Sequence, residues 1–244
     1  MKQLLALMLL LSVYNLCMGQ EKTTTVRKSQ WVDLAATIGN SQGTAAISYV
    51  YSWKLGRKKK LEAGLGVRFT SMFGEKIDYT TAPAKLSRTN TTPFLIFFAG
   101  QKTVNWDTLT VQRPFVNSLN LSANFGYNFS SRFSAVFNID LVGFTFGRKS
   151  SAILTSNGIT KAEGQAKPAG FNALLTGDLD YGSLNSEFSL KYTLNDRWAV
   201  RGIYQFLFTE YKTTTIRQTA PDGTMVDRFR NKANNFGAGV SYQL

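Results

Sequence analysis

The chain has 244 residues, with 28 Lys and Arg against 15 Asp and Glu, no His and one Cys, for a formal net charge of +13. Without an imidazole, Ser-His-Asp and Cys-His catalysis, His-ligated zinc or haem, and proton shuttling by His are excluded. A surplus of this size points to an anionic partner, either nucleic acid or a membrane surface, and the placement of the charges decides between them.

The first segment reads as an address. Lys2, an apolar run from Leu4 to Leu16, and then Cys17-Met18-Gly19 form the pattern of a secretory signal peptide over residues 1–19. Cys17 and Gly19 supply the small residues at positions minus three and minus one of a cut before Gln20. Tyr14-Asn15-Leu16 lacks the small residue that lipidation of Cys17 would require immediately before it. Cleavage at Gly19 leaves a chain without cysteine, so an exported protein of this kind must be held by a core or a closed sheet. Residues 20–30 are expected to be a short periplasmic N-terminal segment, and 31–244 the folded unit. No later run approaches the ~20 apolar residues of a membrane helix, so a spanning chain would have to cross as strands.

Period-two alternation then recurs eight times, over Val32–Ile38, Ala45–Leu55, Leu61–Phe69, Leu119–Phe129, Phe133–Leu141, Leu184–Leu194, Trp198–Phe208 and Phe236–Leu244. In the third run, Leu61, Ala63, Leu65, Val67 and Phe69 oppose Glu62, Gly64, Gly66, Arg68 and Thr70. Tight connections at Gly56–Lys60, Ser130–Ser131 and Asn195–Asp196 alternate with long ones at about 74–114, 147–182 and 212–230. The apolar face is aromatic near the run ends, at Trp53, Phe129, Phe133, Trp198 and Tyr242. This pattern predicts an all-β fold, an eight-stranded antiparallel up-and-down transmembrane β-barrel with long external loops. A ten-stranded barrel that recruits Phe94–Phe98 and Asp107–Val111 is the second choice. A soluble exported barrel, with its aromatic face turned inward around an apolar ligand, is the third.

In this layout the chain resembles the small eight-stranded outer-membrane proteins of the OmpA and OmpX type. The resemblance covers Trp31 to Leu244 as architecture. The last run, with Phe236, Ala238, Val240, Tyr242 and Leu244 on one face, resembles the terminal-strand signal read by barrel-assembly machinery, though it ends in Leu where that signal has Phe. The resemblance implies a Gram-negative outer-membrane location, the assembly machinery as a partner, and a non-enzymatic structural or surface role. A narrow channel or transport component is the alternative.

On the polar face, Asp33, Glu62, Asp140 and Glu187 meet Lys54, Arg68, Lys191 and Arg201. Four acids and four bases cancel, which predicts a packed polar lumen in place of an aqueous channel. The surplus charge therefore lies at two rims. Arg57, Lys58, Lys59 and Lys60 are expected to meet lipid phosphates at the periplasmic turn, and the external loops to meet lipopolysaccharide. A nucleic-acid partner and a cofactor are not expected, and the external loop partner is left open. Asp178-Leu179-Asp180-Tyr181-Gly182 has its glycine one position early for an EF-hand loop and reads as a turn. Phe94–Phe98 is expected to pack within its loop. Two places break the alternation. Val142, Phe144 and Phe146 make both faces apolar, predicting a bulge near Gly143 or emergence from the membrane, and Ile203 and Leu207 fall on the polar face.

Overall fold

The computed structural model describes residues 28–156, 158–220 and 222–244, so the expected signal peptide lies outside the described residues, as do residues 20–27. The strands in chain order are β1 Lys28–Gly39, β2 Gln42–Leu55, β3 Leu61–Gly74, β4 Lys76–Thr81, β5 Thr108–Gln112, β6 Phe115–Asn128, β7 Phe133–Gly147, β8 Ser150–Ser156, β9 Ile159–Pro168, β10 Phe171–Ala173, β11 Leu184–Thr193, β12 Trp198–Lys212, β13 Gln218–Thr219, β14 Met225–Val226 and β15 Arg228–Gln243.

Each of the eight alternating runs is a strand of one antiparallel wall, ordered β1-β2-β3-β6-β7-β11-β12-β15. The wall closes on itself where β15 pairs with β1, from Trp31 opposite Gln243 to Ile38 opposite Phe236. Closure leaves no free edge, so every ladder donor and acceptor has a partner within the sheet. Leu34, Leu65, Leu119, Phe125, Phe137, Phe188, Phe236 and Val240 point outward and are exposed. Ser48, Arg68, Ser122, Asn138 and Ser241 point inward and are buried. An apolar surface encircling the whole wall far exceeds the patches that water tolerates, and suits hydrocarbon. Aromatic pairs gather near the lower turns, with Tyr51 and Trp53 5.0 Å apart, Tyr127 and Phe129 5.1 Å, and Trp198 and Tyr242 4.9 Å, as expected of rings at a membrane interface.

The β6–β7 pairing resolves the first break in alternation. Leu121 pairs with Val142, but Ser122 pairs with Asp140, so Leu141 is an extra residue. A one-residue bulge flips the side-chain phase. Phe133 and Phe137 face out below it, and Val142, Phe144 and Phe146 face out above it. The bulge thus falls two residues before the expected Gly143. That glycine serves another purpose, since a Cβ there would lie 2.2 Å from Asn120 Oδ1.

The segments expected to be long loops build a second ring. β15 continues into β4, β4 pairs with β5, β5 with β8, β8 with β9, and β9 returns to β12 through Tyr211 and Lys212. With the β12–β15 pairing this makes a closed six-stranded crown that shares two strands with the wall. Its polarity is inverted. Ile77, Tyr79, Leu109, Val111, Ala152, Leu154, Ala166, Tyr211 and Phe229 are buried inside it, together with Met72, Val116 and Leu207 from the inner face of the wall. Leu207 is apolar on the lumen face because at that height the lumen has become this core.

Two alternatives are corrected here. The ten-stranded barrel fails because Thr108–Gln112 pairs within the crown, while Leu95–Phe98 forms a 3-10 turn. The apolar-ligand barrel fails because its aromatic face points outward and the lumen is lined by polar side chains.

Leu109→Ala would empty a fully buried site in the crown and should cost about 2–5 kcal/mol of its stability. Limited proteolysis of the folded protein should show earlier cleavage between residues 75 and 114 while the wall strands stay protected.

Candidate functional site

The described residues form two polar assemblies, one inside the wall and one outside it. Inside, alternation on β1, β2, β3, β7, β11 and β12 turns the predicted acids and bases inward. Arg68 Nη1 stands 3.5 Å from Asp140 and 3.6 Å from Glu187. Its Nη2 donates to Asn138. Asp140 also accepts from the Asn120 amide at 2.8 Å and from the Asn185 backbone N–H at 3.0 Å. Glu187 accepts from the Asn185 side chain at 3.0 Å. Nearer the end with the tight turns, Arg201 lies 3.8 Å from Asp33, Lys54 lies 3.6 Å from Glu62, and the Lys191 ammonium sits 3.8 Å over the Trp31 ring. The eight predicted lumen residues thus fall into an Arg68–Asp140–Glu187 cluster, an Arg201–Asp33 pair, a Lys54–Glu62 pair and Lys191 on Trp31. Above them, Thr37 donates to Gln205 Oε1 at 2.6 Å and Asn235 donates to the same oxygen at 2.8 Å. Lined by Trp31, Asp33, Glu62, Lys191 and Arg201 is a cavity of about 30 Å³, room for one or two waters.

The residues expected at the periplasmic rim sit in the β2–β3 turn, where Gly56 adopts φ 76 and Lys59 φ 49. Arg57, Lys58 and Lys60 are exposed, and Lys59 is half-buried.

Outside the wall, β12 and β15 carry a second network at their upper ends. Arg228 bonds Glu210 at 2.8 Å, and Arg230 reaches the same carboxylate at 2.6 Å. Asp178 pairs with Arg88, Arg230 and Lys232. The Arg228 guanidinium lies 3.5 Å over the Tyr181 ring. Gly182, at φ 79, turns the chain back and donates its N–H to Glu210 at 2.9 Å. These contacts clamp the β10–β11 segment onto the outer face of the wall and bury Glu210, Arg230 and Phe208, although all three face outward. Asp178 and Asp180 thus serve a cation cluster of the protein's own. Among the described residues, no group of His, Cys, Asp and Glu could hold a metal ion.

Two further features were missed from sequence. Lys167, Lys212 and Arg228 stand opposite one another across β9, β12 and β15. With Arg217 and Asp227, the two lysines line an open groove of about 450 Å³. Arg228 is taken up by Glu210, which leaves Lys167, Lys212 and Arg217, with Asp227, as the charged groups at the groove. Glu163 is buried on β9 and accepts backbone N–H bonds from Gln165, Thr214, Thr215 and Ile216 at 2.8–3.1 Å, together with the Thr214 and Thr215 hydroxyls. Burial pushes this carboxyl up, but the N–H donors outweigh it and hold it down at about 2. The alternation of Arg228, Arg230 and Lys232 was a readable sign that one strand face needed a carboxylate. No comparable sign marked Glu163.

No protein-family model matches the chain, and no curated protein matches it. Solved structures do. The Neisserial surface protein A structure is 9% identical, with 89% of this chain and 96% of that chain covered and a TM-score of 0.35. The attachment invasion locus protein Ail of Yersinia pestis is 7% identical, covering 91% and 100%, with a TM-score of 0.35. A de novo designed transmembrane β-barrel is 8% identical, covering 92% and 100%, with a TM-score of 0.35. The class itself follows from the fold. A closed antiparallel wall that is apolar outside and polar inside is a transmembrane β-barrel with the architecture of small outer-membrane barrels.

Two predictions follow from these geometries. Arg68→Ala leaves Asp140 and Glu187 buried without their cation and should cost about 3–5 kcal/mol, read as a lower temperature for heat-dependent gel mobility. Adding Glu187→Gln should recover part of that loss. For Glu163, the folded carboxyl titrates at about 2 against an ordinary 4.5. Its contribution is therefore complete above pH ~4.5 and lost as pH falls towards 2. Hydrogen exchange of residues 213–217 should speed up through that window, and Glu163→Gln should abolish the pH dependence.

Proposed function

We propose that this chain is a non-enzymatic outer-membrane protein whose barrel anchors and orients the external crown as a surface for contact with anionic envelope lipid, lipopolysaccharide included. One observation carries the reading: the apolar crown core stands directly over the lumen, and the lumen beneath it is filled by paired charges. A path for solutes would have to displace both. The crown and the rims are then the surfaces left for function. The groove lined by Lys167, Lys212 and Arg217 supplies cations for phosphate groups, each worth ~1 kcal/mol near a charged surface. At the opposite rim, Arg57, Lys58, Lys59 and Lys60 are placed for inner-leaflet phosphates. The C-terminal strand β15, the seam partner of β1, carries the apolar alternation that assembly machinery would read.

The channel reading predicts a current, whereas this one predicts none. Planar bilayers holding the purified protein should show no stable conductance. A steady current that changes when Arg68 or Arg201 is neutralised would establish the channel in its place. Lipopolysaccharide retained by the detergent-solubilised protein should fall about tenfold or more on replacing Lys167, Lys212 and Arg217 with Ala, and the wild-type binding should weaken with salt. Equal retention by the variant would remove the groove from the proposal.

A further inference from the structure

The loop between β4 and β5 presents an apolar knuckle. Phe94 enters it at φ 68, a left-handed conformation that bulky residues rarely adopt, and Leu95–Phe98 then form a 3-10 turn. Of these five residues, only Ile96 is buried. Phe98 is 89% exposed, Phe94 75%, and Phe97 and Leu95 more than half. Water offers no reason to display four large apolar side chains on a strained turn while a single isoleucine is sequestered.

The position of the knuckle supplies one. Ile96 and Phe97 pack beside Gly177, where a Cβ would fall 3.0 Å from Ile96 and 3.6 Å from Phe97. The next residue, Asp178, is tied to Lys232 and Arg230 on the outer face of β15. Four residues below Lys232 on that same face is Phe236, an exposed residue of the apolar belt. At about 3.3 Å per residue and a barrel tilt near 40°, that separation is roughly 10 Å along the membrane normal. A second path joins the two surfaces. The Phe144 and Phe171 rings are 6.4 Å apart, both exposed, and exposed Leu175 lies between Phe171 and Gly177. The knuckle is thus a lateral continuation of the lipid-facing belt at its upper edge, with Arg88 and Lys232 just behind it.

From this continuity, and resting on the outer-membrane reading above, we propose that Phe94, Leu95, Phe97 and Phe98 insert into the interfacial zone of the outer leaflet as a side anchor for the crown. Ile96 is the peg that holds the turn to the barrel. The occupant is lipid, because the surface that the knuckle extends is the one already committed to hydrocarbon, and aromatic side chains backed by cations are the composition of an interfacial segment.

Single cysteines carrying an environment-sensitive fluorophore test this, since Cys17 is the one cysteine in the sequence and falls in the expected signal peptide. Phe98→Cys, the belt position Leu65→Cys and the crown position Ala162→Cys are each labelled in the protein carrying Cys17→Ser, so that any uncleaved chain also holds one cysteine. Each is reconstituted in phosphatidylcholine–phosphatidylglycerol vesicles containing lipids spin-labelled near the headgroup or deep in the chain. The label at 98 should be blue-shifted and quenched at least twofold more by the shallow than by the deep spin label, position 65 quenched by both, and position 162 by neither. A label at 98 that behaves like the one at 162, with 65 quenched, overturns the anchor and leaves the barrel standing. The same result accompanied by protection of position 98 from aqueous quencher in intact cells assigns the knuckle to a protein partner and likewise overturns it. Loss of quenching at position 65 overturns the membrane reading and the anchor with it. Leu95→Cys, labelled in parallel, separates a local effect of losing Phe98 from the behaviour of the turn.

Discussion

The structure depends on one constraint, that a backbone placed in hydrocarbon must satisfy its hydrogen-bonding groups within itself. A sheet meets that demand only by closing, and the β15–β1 seam closes this one. Once the ring exists, each strand has a face toward lipid and a face toward its neighbours across the lumen. Period-two alternation then dictates which residues can go where. The outward series Leu34, Ile47, Leu119, Phe144 runs across successive paired strands at matched register positions, linked through Phe69. The inward series must be polar or small, because eight strands leave only side-chain width inside. Arg68 is large, but it is accommodated by two carboxylates and a carboxamide that converge on it from β7 and β11.

Above the membrane the same backbone rule holds but the solvent changes. There the favourable arrangement is apolar side chains inside and polar ones outside, and the crown adopts it with its own closed ring. β12 displays the transition along a single face. Its inward residues run Arg201, Ile203, Gln205, Leu207, Thr209 and Tyr211; the charged and amide groups stand in the lumen, Leu207 and Tyr211 join the crown core, and the Thr209 hydroxyl bonds Tyr79 there. The β-bulge at Leu141 makes a related adjustment on β7, re-phasing the upper strand so that Val142, Phe144 and Phe146 stay on the outer surface.

How much of this was legible in the amino-acid sequence varies with the length of the pattern. The wall runs are long and strict, and each of the eight is a strand. The faces of the lumen residues followed, because alternation fixes a side chain's face once the strand is known; Arg68 stands beside Asp140 and Glu187, and Arg201 beside Asp33. The crown was not legible. Ile77 with Tyr79, Leu109 with Val111, and Ala152 with Leu154 do alternate, but over five to seven residues, and they pair across breaks in sequence far longer than the strands themselves. Short alternation inside a long connection looks the same whether the strands pair or not. Leu207, which seemed misplaced on a polar face, carried the missing information: an inward apolar residue near a strand's outer end requires a core above it, whereas Ile203 lies lower, between Arg201 and Gln205 in the lumen. Glu163 was invisible for a different reason. Its partners are backbone N–H groups, which every residue has, so no side-chain pattern announces them.

The crown's attachment explains why charge accumulates where it does. It shares β12 and β15 with the wall, and β3 runs on into β4, β5 into β6 and β7 into β8 across one or two residues, so it is joined to the barrel around much of the rim. The buried network of Glu210 with Arg228 and Arg230, extended by Asp178 to Lys232 and Arg88, ties the β4–β5 and β10–β11 segments to the outer face of the β12–β15 hairpin. Buried ion pairs give little net stability, but they are directional, and breaking one leaves a charge stranded. Here direction is what is needed. The network lies where two rings of opposite polarity meet, and it fixes the β4–β5 and β10–β11 segments against the strands whose inner faces carry the crown core.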